Sequence, residues 1–392
     1  MRDGWVETTF GEAVVINPEA AKGMADDDEI VYVDLSSVSA ESGISSNLYR
    51  GSFGEAPGRA RRVIRTQDVL VSTVRPYLRG FALVPEFLDG EIASTGFAVL
   101  RAKPTRILPG LVWAIVGMNN FVDYLMDRAT GSSYPAVRPE DISSFTFCLP
   151  PLVEQKRIVD VVASVDAYVD ALQKQADSAR AARNAVLHEL LSAGGDGWTE
   201  TTLGGVAVFY NGKAYKQDEL LAAGRYRVLR VGNFFSNGNW YWSDLELDAN
   251  KYCDNGDLLY AWSASFGPRI WTDEKVIYHY HIWKVEENPL LVEKKFLYYW
   301  LEDDVQRMKR DAGTGSIMMH ITKGEIEARA VVLPPIEEQK RIVEIVSSMD
   351  DLIQSTEQAV VDAKNLRSGL LSDLLSGDHE IPASYDSFLG AA

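Results

Sequence analysis

Seven arginines fall in one short span of this chain, Arg50, Arg59, Arg61, Arg62, Arg65, Arg75 and Arg79, with only Glu55 and Asp68 among them. A guanidinium is a planar fork that matches phosphate oxygens or the O6 and N7 of guanine bidentately, so the span reads as a local patch for clamping phosphate and reading base edges. The plainer reading of any charge run is a solvated face. A second set of candidates is rich in amides and aromatics: Asn233 to Trp240, then Tyr260 to Arg269, where Asn233, Trp262, Ser263, Ser265 and Arg269 stand out. Asn and Arg on loops can reach base edges in the major groove. Lys213, Lys216, Arg225, Arg227 and Arg230 suit backbone phosphates instead. Trp240, Trp242 and Trp262 are expected to divide between core and recognition.

Catalytic signatures are missing where they would be sought. Gly212-Lys213 runs into Ala214, so there is no nucleotide phosphate loop, and Asn17-Pro18-Glu19 is not an amino-methylation motif. His279 and His281 could share one face of a strand and chelate a metal, but no Cys or further His stands near them, which favours packing. The glycines of Gly51 to Gly54 and Gly313 to Ser316 read as turns near a ligand, and His188 as a polar residue on a helix. Neither catalysis nor a cofactor or metal site in this chain is expected. Two cysteines, Cys148 and Cys253, fit a reducing cytoplasm. No apolar stretch approaches a membrane span and the first residues carry no export signal, so a soluble cytoplasmic protein is expected. With 39 Lys and Arg against 56 Asp and Glu, the net charge of −17 excludes coating nucleic acid by bulk charge. Any such contact must be local.

The chain contains itself twice. GWVETTFG at 4–11 returns as GWTETTLG at 197–204, identical at six of eight positions with an offset of 193. LPPLVEQKRIVDVVASVD at 149–166 returns as LPPIEEQKRIVEIVSSMD at 333–350, identical at twelve of eighteen with an offset of 184. The second offset extends forward to HELLS at 188–192 and SDLLS at 372–376, and back to the T-G-S triplets at 130–132 and 314–316. Between the blocks little aligns. A duplicated frame with diverged contents suits two different recognition surfaces on one kind of support.

Each repeated block opens a long amphipathic stretch. Ile158, Val165, Leu172, Ala179 and Val186 recur by sevens, with Val161, Tyr168 and Ala182 between; the second copy gives Ile342, Met349, Thr356, Ala363 and Leu370, with Ile345, Leu352, Ala359 and Leu366 between. Such seams predict two coiled-coil helices, begun by the paired prolines and ended by Gly194-Gly195 and Gly377. About 40 residues at ~1.5 Å each gives rods of roughly 60 Å, expected to pair antiparallel. The expected layout is mixed α/β: globular segments at 1–148 and 197–332, helices at 149–196 and 333–377, and a tail at 378–392. Runs of β-branched and aromatic residues predict strands at Ile30 to Leu35, Val69 to Val74, Phe81 to Val84, Phe97 to Arg101, Tyr226 to Val231, Leu258 to Trp262 and Val276 to Val285. Helices are predicted at Pro109 to Arg128 and Glu293 to Asp311.

An LPP-x-x-EQKRIV block that opens a long helix twice, each time after a variable segment with a T-G-S turn and a GW-x-ETT-x-G start, resembles the specificity subunit of type I restriction-modification systems. The resemblance covers nearly the whole chain. It implies two target recognition domains, each reading half of a split duplex DNA site, on two antiparallel helices that set the gap and dock two methylation subunits. Restriction subunits would join them. S-adenosylmethionine, ATP and Mg would then be bound by those partners, and this chain would be non-catalytic. It also implies DNA-facing loops at Ser72-Thr73-Val74-Arg75-Pro76-Tyr77-Leu78-Arg79 and at Trp262 to Arg269, and DNA-facing turns at Gly131-Ser132-Ser133-Tyr134 and Gly315-Ser316. Gln67 stands where that pattern has a strand-opening glycine, which puts the local register in question. Other readings of the frame are a scaffold joining two protein partners and a specificity subunit of a methylation-only complex.

Overall fold

The computed structural model describes residues 4–40, 43–235, 238–263, 266–311, 321–377 and 379–388. They form two compact units, one of residues up to Gln173 together with those from Gln358 onward, the other Lys174–Glu357.

In unit 1 the strands shared with unit 2 are β1 (Val6–Thr9), β2 (Val14–Ile16), β3 (Glu29–Val33), β4 (Tyr49–Ser52), β5 (Ala60–Val63), β6 (Val69–Ser72), β7 (Phe81–Leu83), β8 (Ile92–Ser94), β9 (Phe97–Ala102) and β10 (Thr146–Leu149). Two four-stranded sheets have the orders β2-β9-β6-β7 and β4-β3-β8-β5, and β1 pairs antiparallel with β10. Unit 2 holds β11 (Thr199–Thr202), β12 (Ala207–Asn211), β13 (Tyr226–Leu229), β14 (Tyr241–Ser243), β15 (Tyr252–Cys253), β16 (Leu258–Ala261), β17 (Gly267–Ile270), β18 (Val276–Tyr278), β19 (Ile282–Glu287) and β20 (Ala330–Leu333). Their orders are β12-β19-β16-β17 and β14-β13-β18-β15, with β11 on β20. Apart from one two-stranded sheet of unit 1, Val38–Ser39 on Gly43–Ile44, this is the unit 1 topology among the described residues, down to the parallel strand pair, β3 with β8 and β13 with β18. The contents therefore diverged in sequence while the topology was kept.

The expected strand from Val276 to Val285 is two strands. The chain leaves one sheet after Tyr278, turns at His279-Tyr280-His281 with Ile282 N–H on the His279 carbonyl (2.9 Å), and enters the other sheet. The expected helix from Pro109 to Arg128 is also two, α1 (Pro109–Val116) and α2 (Asn119–Arg128), because Met118 is extended. Gln67 has φ +67°, the left-handed value that Gly256 (φ +89°) adopts at the matching place in unit 2, so the register does not slip. In both copies the next residue closes the turn identically: the Asp68 carboxylate accepts from Arg65 N–H and Asp257 from Asp254 N–H, each at 2.8 Å.

The long helices are α3 (Leu152–Ser192) and α5 (Ile336–Ser376), with α4 (Lys294–Asp311) packed in unit 2. Proline precedes each long helix, and Gly377 is left-handed just past α5. Within each unit, stretches of α3 and α5 pair antiparallel, as Val169 with Val360 and Ala363 in unit 1 and Arg180 with Glu357 in unit 2. The seam departs from expectation in one respect. The series beginning Ile158, Val165, Leu172 and Ile342, Met349 faces inward, but its companion series lies one residue further on, at Val162, Val169, Ala176 and Arg183 and at Val346, Ile353, Val360 and Arg367. Val161 is off the helix seam and packs toward the unit 1 core, whereas Ile345 (45% exposed) and Leu352 (59%) point to solvent. The first series occupies d positions, from which the next a position is four residues on, not three.

What fixes each frame is visible in the repeated residues. Gln155 is buried; its amide donates to the Arg106 and Pro150 carbonyls (2.9 Å each) and accepts from Leu108 N–H (2.9 Å). Gln339 does the same with Leu291, Pro334 and Glu293 N–H at 3.0, 2.8 and 2.8 Å. The Trp5 indole donates to Glu154 (2.9 Å) and that of Trp198 to Glu338 (3.1 Å). The motif GW…LPP-x-x-EQ is thus a clasp that closes the start of each segment onto its end.

Candidate nucleic-acid interface

In unit 1 the β6–β7 loop is held in an unusual shape. Ser72 Oγ donates to the Val74 carbonyl (2.7 Å), Thr73 N–H and Oγ1 both donate to the Gly96 carbonyl (2.9 and 2.8 Å), and Val137 N–H donates to Thr73 (2.9 Å). Arg75 and Arg79 both have φ +50°, a conformation costing a residue with a Cβ roughly 1–2 kcal/mol. Such strain persists only where surroundings impose it. Arg75 N–H is fixed on the Pro135 carbonyl at 2.7 Å, and its guanidinium lies 4.3 Å from the Tyr134 ring with Nη2 3.4 Å from the Ser133 carbonyl. The loop and the 131–134 turn, separate in sequence, therefore form one ridge. Tyr77, Leu78 and Tyr134 are exposed on it, at 48, 56 and 67%, beside exposed Ser132 and Ser133. A groove of about 550 Å³ runs along the ridge, and its far wall is Leu35 to Ala40. Nothing in the sequence singled out that wall.

The arginines of the 50–79 span do not form one patch. Arg50 is on β4 and Arg61 and Arg62 are on β5, the opposite edges of a four-stranded sheet, about 14 Å apart at ~4.8 Å per strand. Arg61 lies 5.2 Å from the Phe53 ring, and Arg65 is paired with Glu19 at 3.0 Å. Arg79 instead braces two helices, its Nη1 donating to the Gly117 carbonyl (2.9 Å) at the end of α1 and its Nη2 to Asn119 at the start of α2. A cation at a helix C-terminus complements the helix dipole.

Unit 2 places Trp262 where unit 1 has Thr73. Its N–H donates to the His281 carbonyl (3.0 Å), matching Thr73 on Gly96, and its indole donates to the Tyr280 carbonyl (2.7 Å). The ring stacks on buried Trp283, centroids 5.7 Å apart, and meets His281 edge-on at 4.9 Å. The turn His279-Tyr280-His281 is thereby built into the ridge, although its sequence suggested only packing or a metal. Burial and the neighbouring His281 push the His279 imidazole down to about 4, so it is neutral at pH 7. Ser263 is half-buried beside Trp262. Asn233 is buried, its amide donating to the Asn239 carbonyl (2.7 Å), and so shapes this face from within, whereas Arg269 is exposed with its guanidinium on the Phe234 carbonyl. Lys213 is paired with Glu219 (3.0 Å), whereas Lys216 is exposed. Ser265 and Ser316, with the rest of the second T-G-S turn, lie outside the described residues. Among the described residues no cluster of His, Cys, Asp and Glu suits a metal, and no helix is long and apolar enough to cross a membrane.

Comparison with known proteins agrees with this architecture. Residues 195–362 match the family model described as type I restriction modification DNA specificity domain. The putative type I restriction enzyme MjaX specificity subunit of Methanocaldococcus jannaschii is 22% identical over 318 residues, covering 75% of this chain and 72% of that protein. The MjaVIII specificity subunit of the same organism is 22% identical over 287 residues, 65% of this chain and 67% of the relative. A chain in a solved structure reported for complex assembly and conformational transition of the type I R-M system superposes with a TM-score of 0.61 at 24% identity, over 97% of this chain and 99% of that one, and so shares the fold. Clasp, duplicated topology and comparisons converge: residues 195–362 match a type I restriction modification DNA specificity domain, and most of the chain is similar to type I restriction enzyme specificity subunits.

Proposed function

We propose that this chain is the DNA-reading subunit of a type I restriction-modification complex, with the Arg75–Tyr134 ridge of unit 1 and the Trp262–His281 ridge of unit 2 each reading one half of a bipartite duplex site. The observation that carries this reading is that one topology presents two chemically different ridges at the same place in the fold, one of arginine and tyrosine, the other of tryptophan and histidine. Exposed Tyr77 and Tyr134 and the strained Arg75 supply stacking and fork-shaped donors for bases and phosphates. Two methylation subunits dock on the repeated helix starts, and restriction subunits join that assembly. S-adenosylmethionine, ATP and Mg belong to those partners, and adenine methylation and ATP-driven cleavage are theirs, in the cytoplasm. The test is co-expression with the methylation subunit of the same host, followed by mapping of modified adenines. A split motif with a fixed gap is expected, and a stable complex that modifies nothing would refute the reading.

A further inference from the structure

Most residues kept in both copies of the LPP-x-x-EQKRIV block act inside their own unit. Glutamate and glutamine close the clasp, and isoleucine lines the seam. The arginine is different, because its two copies do not behave alike. Arg157 in unit 1 is 9% exposed and held by the segment that follows α5: Nε and Nη2 donate to the two Asp386 oxygens at 2.6 and 2.7 Å, and Nη1 to the Ile381 carbonyl at 3.3 Å. One helical turn on, Asp160 accepts from the Tyr385 hydroxyl at 2.7 Å, and Ile381 is buried in the unit 1 core. Residues 381–388 thus form a strap across the start of α3. In unit 2 the same turn of α5 carries Arg341 and Glu344, both exposed, and Ile345, 45% exposed where its counterpart Val161 is part-buried. Among the described residues the Arg341 side chain makes no hydrogen bond or ion pair, although the clasp beneath it is the same.

One surface is therefore duplicated, covered by the chain itself in one copy and open in the other. A guanidinium and a carboxylate one turn apart, beside an apolar residue, fit a segment offering a carboxylate, a hydroxyl or amide donor and an apolar side chain, which is what the strap offers unit 1. We propose that residues 381–388 are a displaceable strap competing with a protein partner of that chemistry, so that two copies of the partner are taken up in order, first at Arg341 of unit 2 and then at Arg157 of unit 1 as the strap leaves. This rests on the reading that both repeated helix starts dock a methylation subunit.

The test titrates the full chain with that subunit, reading both dissociation constants by native mass spectrometry. Two unequal constants are expected. Arg341→Ala should weaken the tighter about tenfold, and Asp386→Asn should tighten the weaker about tenfold while leaving the tighter one unchanged, tenfold being about 1.4 kcal/mol. Two equal constants, or an Asp386→Asn chain that melts lower yet keeps both, would overturn the proposal and leave the strap a structural brace. If the subunit binds no form of the chain, the docking reading falls, and the strap is judged separately with a labelled peptide of residues 379–388 added to a chain lacking 378–392. Peptide binding lost partly in Arg157→Ala and partly in Arg341→Ala would support equivalent surfaces, and dependence on Arg157 alone would overturn them.

Discussion

Arg183 and Asp350 are joined between α3 and α5 in unit 2, Nε to Oδ1 at 2.8 Å, and the same pair returns in unit 1 as Arg367 and Asp166, each residue displaced by 184 positions. Both arginines occupy a seam position that elsewhere carries valine, isoleucine or alanine. An arginine in an apolar seam costs stability unless paired, so it fixes which partner residue lies opposite and hence the register of the pair. Arg183 also takes Glu302 of α4 at 2.7 Å and lies 5.0 Å from the Tyr299 ring, whose hydroxyl donates to Asp350 at 2.6 Å. Arg183→Ala should lower the stability of unit 2 by about 2 kcal/mol, less than for a fully buried pair because both carboxylates remain partly solvated. Urea unfolding of the variant checks this; an unchanged midpoint would mean the seam is held by its aliphatic residues alone.

The buried glutamines give a sharper expectation. Gln339→Leu strands Glu293 N–H and removes the donor to two carbonyls, at about 1–3 kcal/mol for each buried group left unsatisfied. Gln155→Leu should cost unit 1 a similar amount, and chemical denaturation should show the two losses adding in the double variant, since they lie in different units.

On the ridges, Arg75 and Arg79 should separate although they are neighbours. Arg75→Ala should weaken binding to duplexes that carry the unit 1 half-site by ~1–3 kcal/mol if it reads a base, with little change at the other half-site. Arg79→Ala should lower the melting temperature first, because it removes the ligand of the Gly117 carbonyl. Anisotropy titrations at several salt concentrations check this, since a pure phosphate contact would reduce the salt slope by about one and ignore sequence.

Gln67 is a position where the protein is not at its optimum. At φ +67° and exposed, it should gain roughly 0.5–1 kcal/mol on replacement by glycine, after the greater freedom of glycine in the unfolded chain is subtracted. Gly256→Ala should lose about 1 kcal/mol, and thermal melts of the two variants should move in opposite directions.

His279 makes unit 2 sensitive to acid. Its imidazole is held down to about 4 by burial beside His281, whereas the unfolded chain protonates near the ordinary 6.5. The depressed folded value means that its contribution is complete above about 6.5 and is lost as pH falls through the folded value near 4. His279→Gln should therefore lose less stability than the parent chain between pH 7 and pH 4.5, and parallel losses in urea titrations would refute the assignment.

How far these features were legible in the sequence follows from which residues meet locally. The clasp was legible as a repeat because its residues are kept for hydrogen bonds that admit few substitutes, a tryptophan on a glutamate and a glutamine on three backbone groups. The seam was half legible. Val161-Val162 and Ile345-Val346 place two apolar residues side by side, so hydrophobicity alone permits either companion series; the tertiary pairings of Arg183 and Arg367 decide it. The arginine span failed as a patch because sheet order, a long-range property, sends β4 and β5 to opposite edges. The His279 to His281 turn was hidden because its flanks are β-rich on both sides, and only the change of sheet breaks the strand.

Because β1 runs beside β10 and β11 beside β20, each recognition segment enters and leaves its support at neighbouring backbone positions, with Val6 opposite Leu149 and Thr199 opposite Leu333. A stretch of chain whose two ends meet can be exchanged for another of different length and sequence provided that it keeps the backbone groups held by Gln155 or Gln339 and an apolar face for the helices. A new surface can then arise between the two repeated edges while the paired strand ends stay as they are.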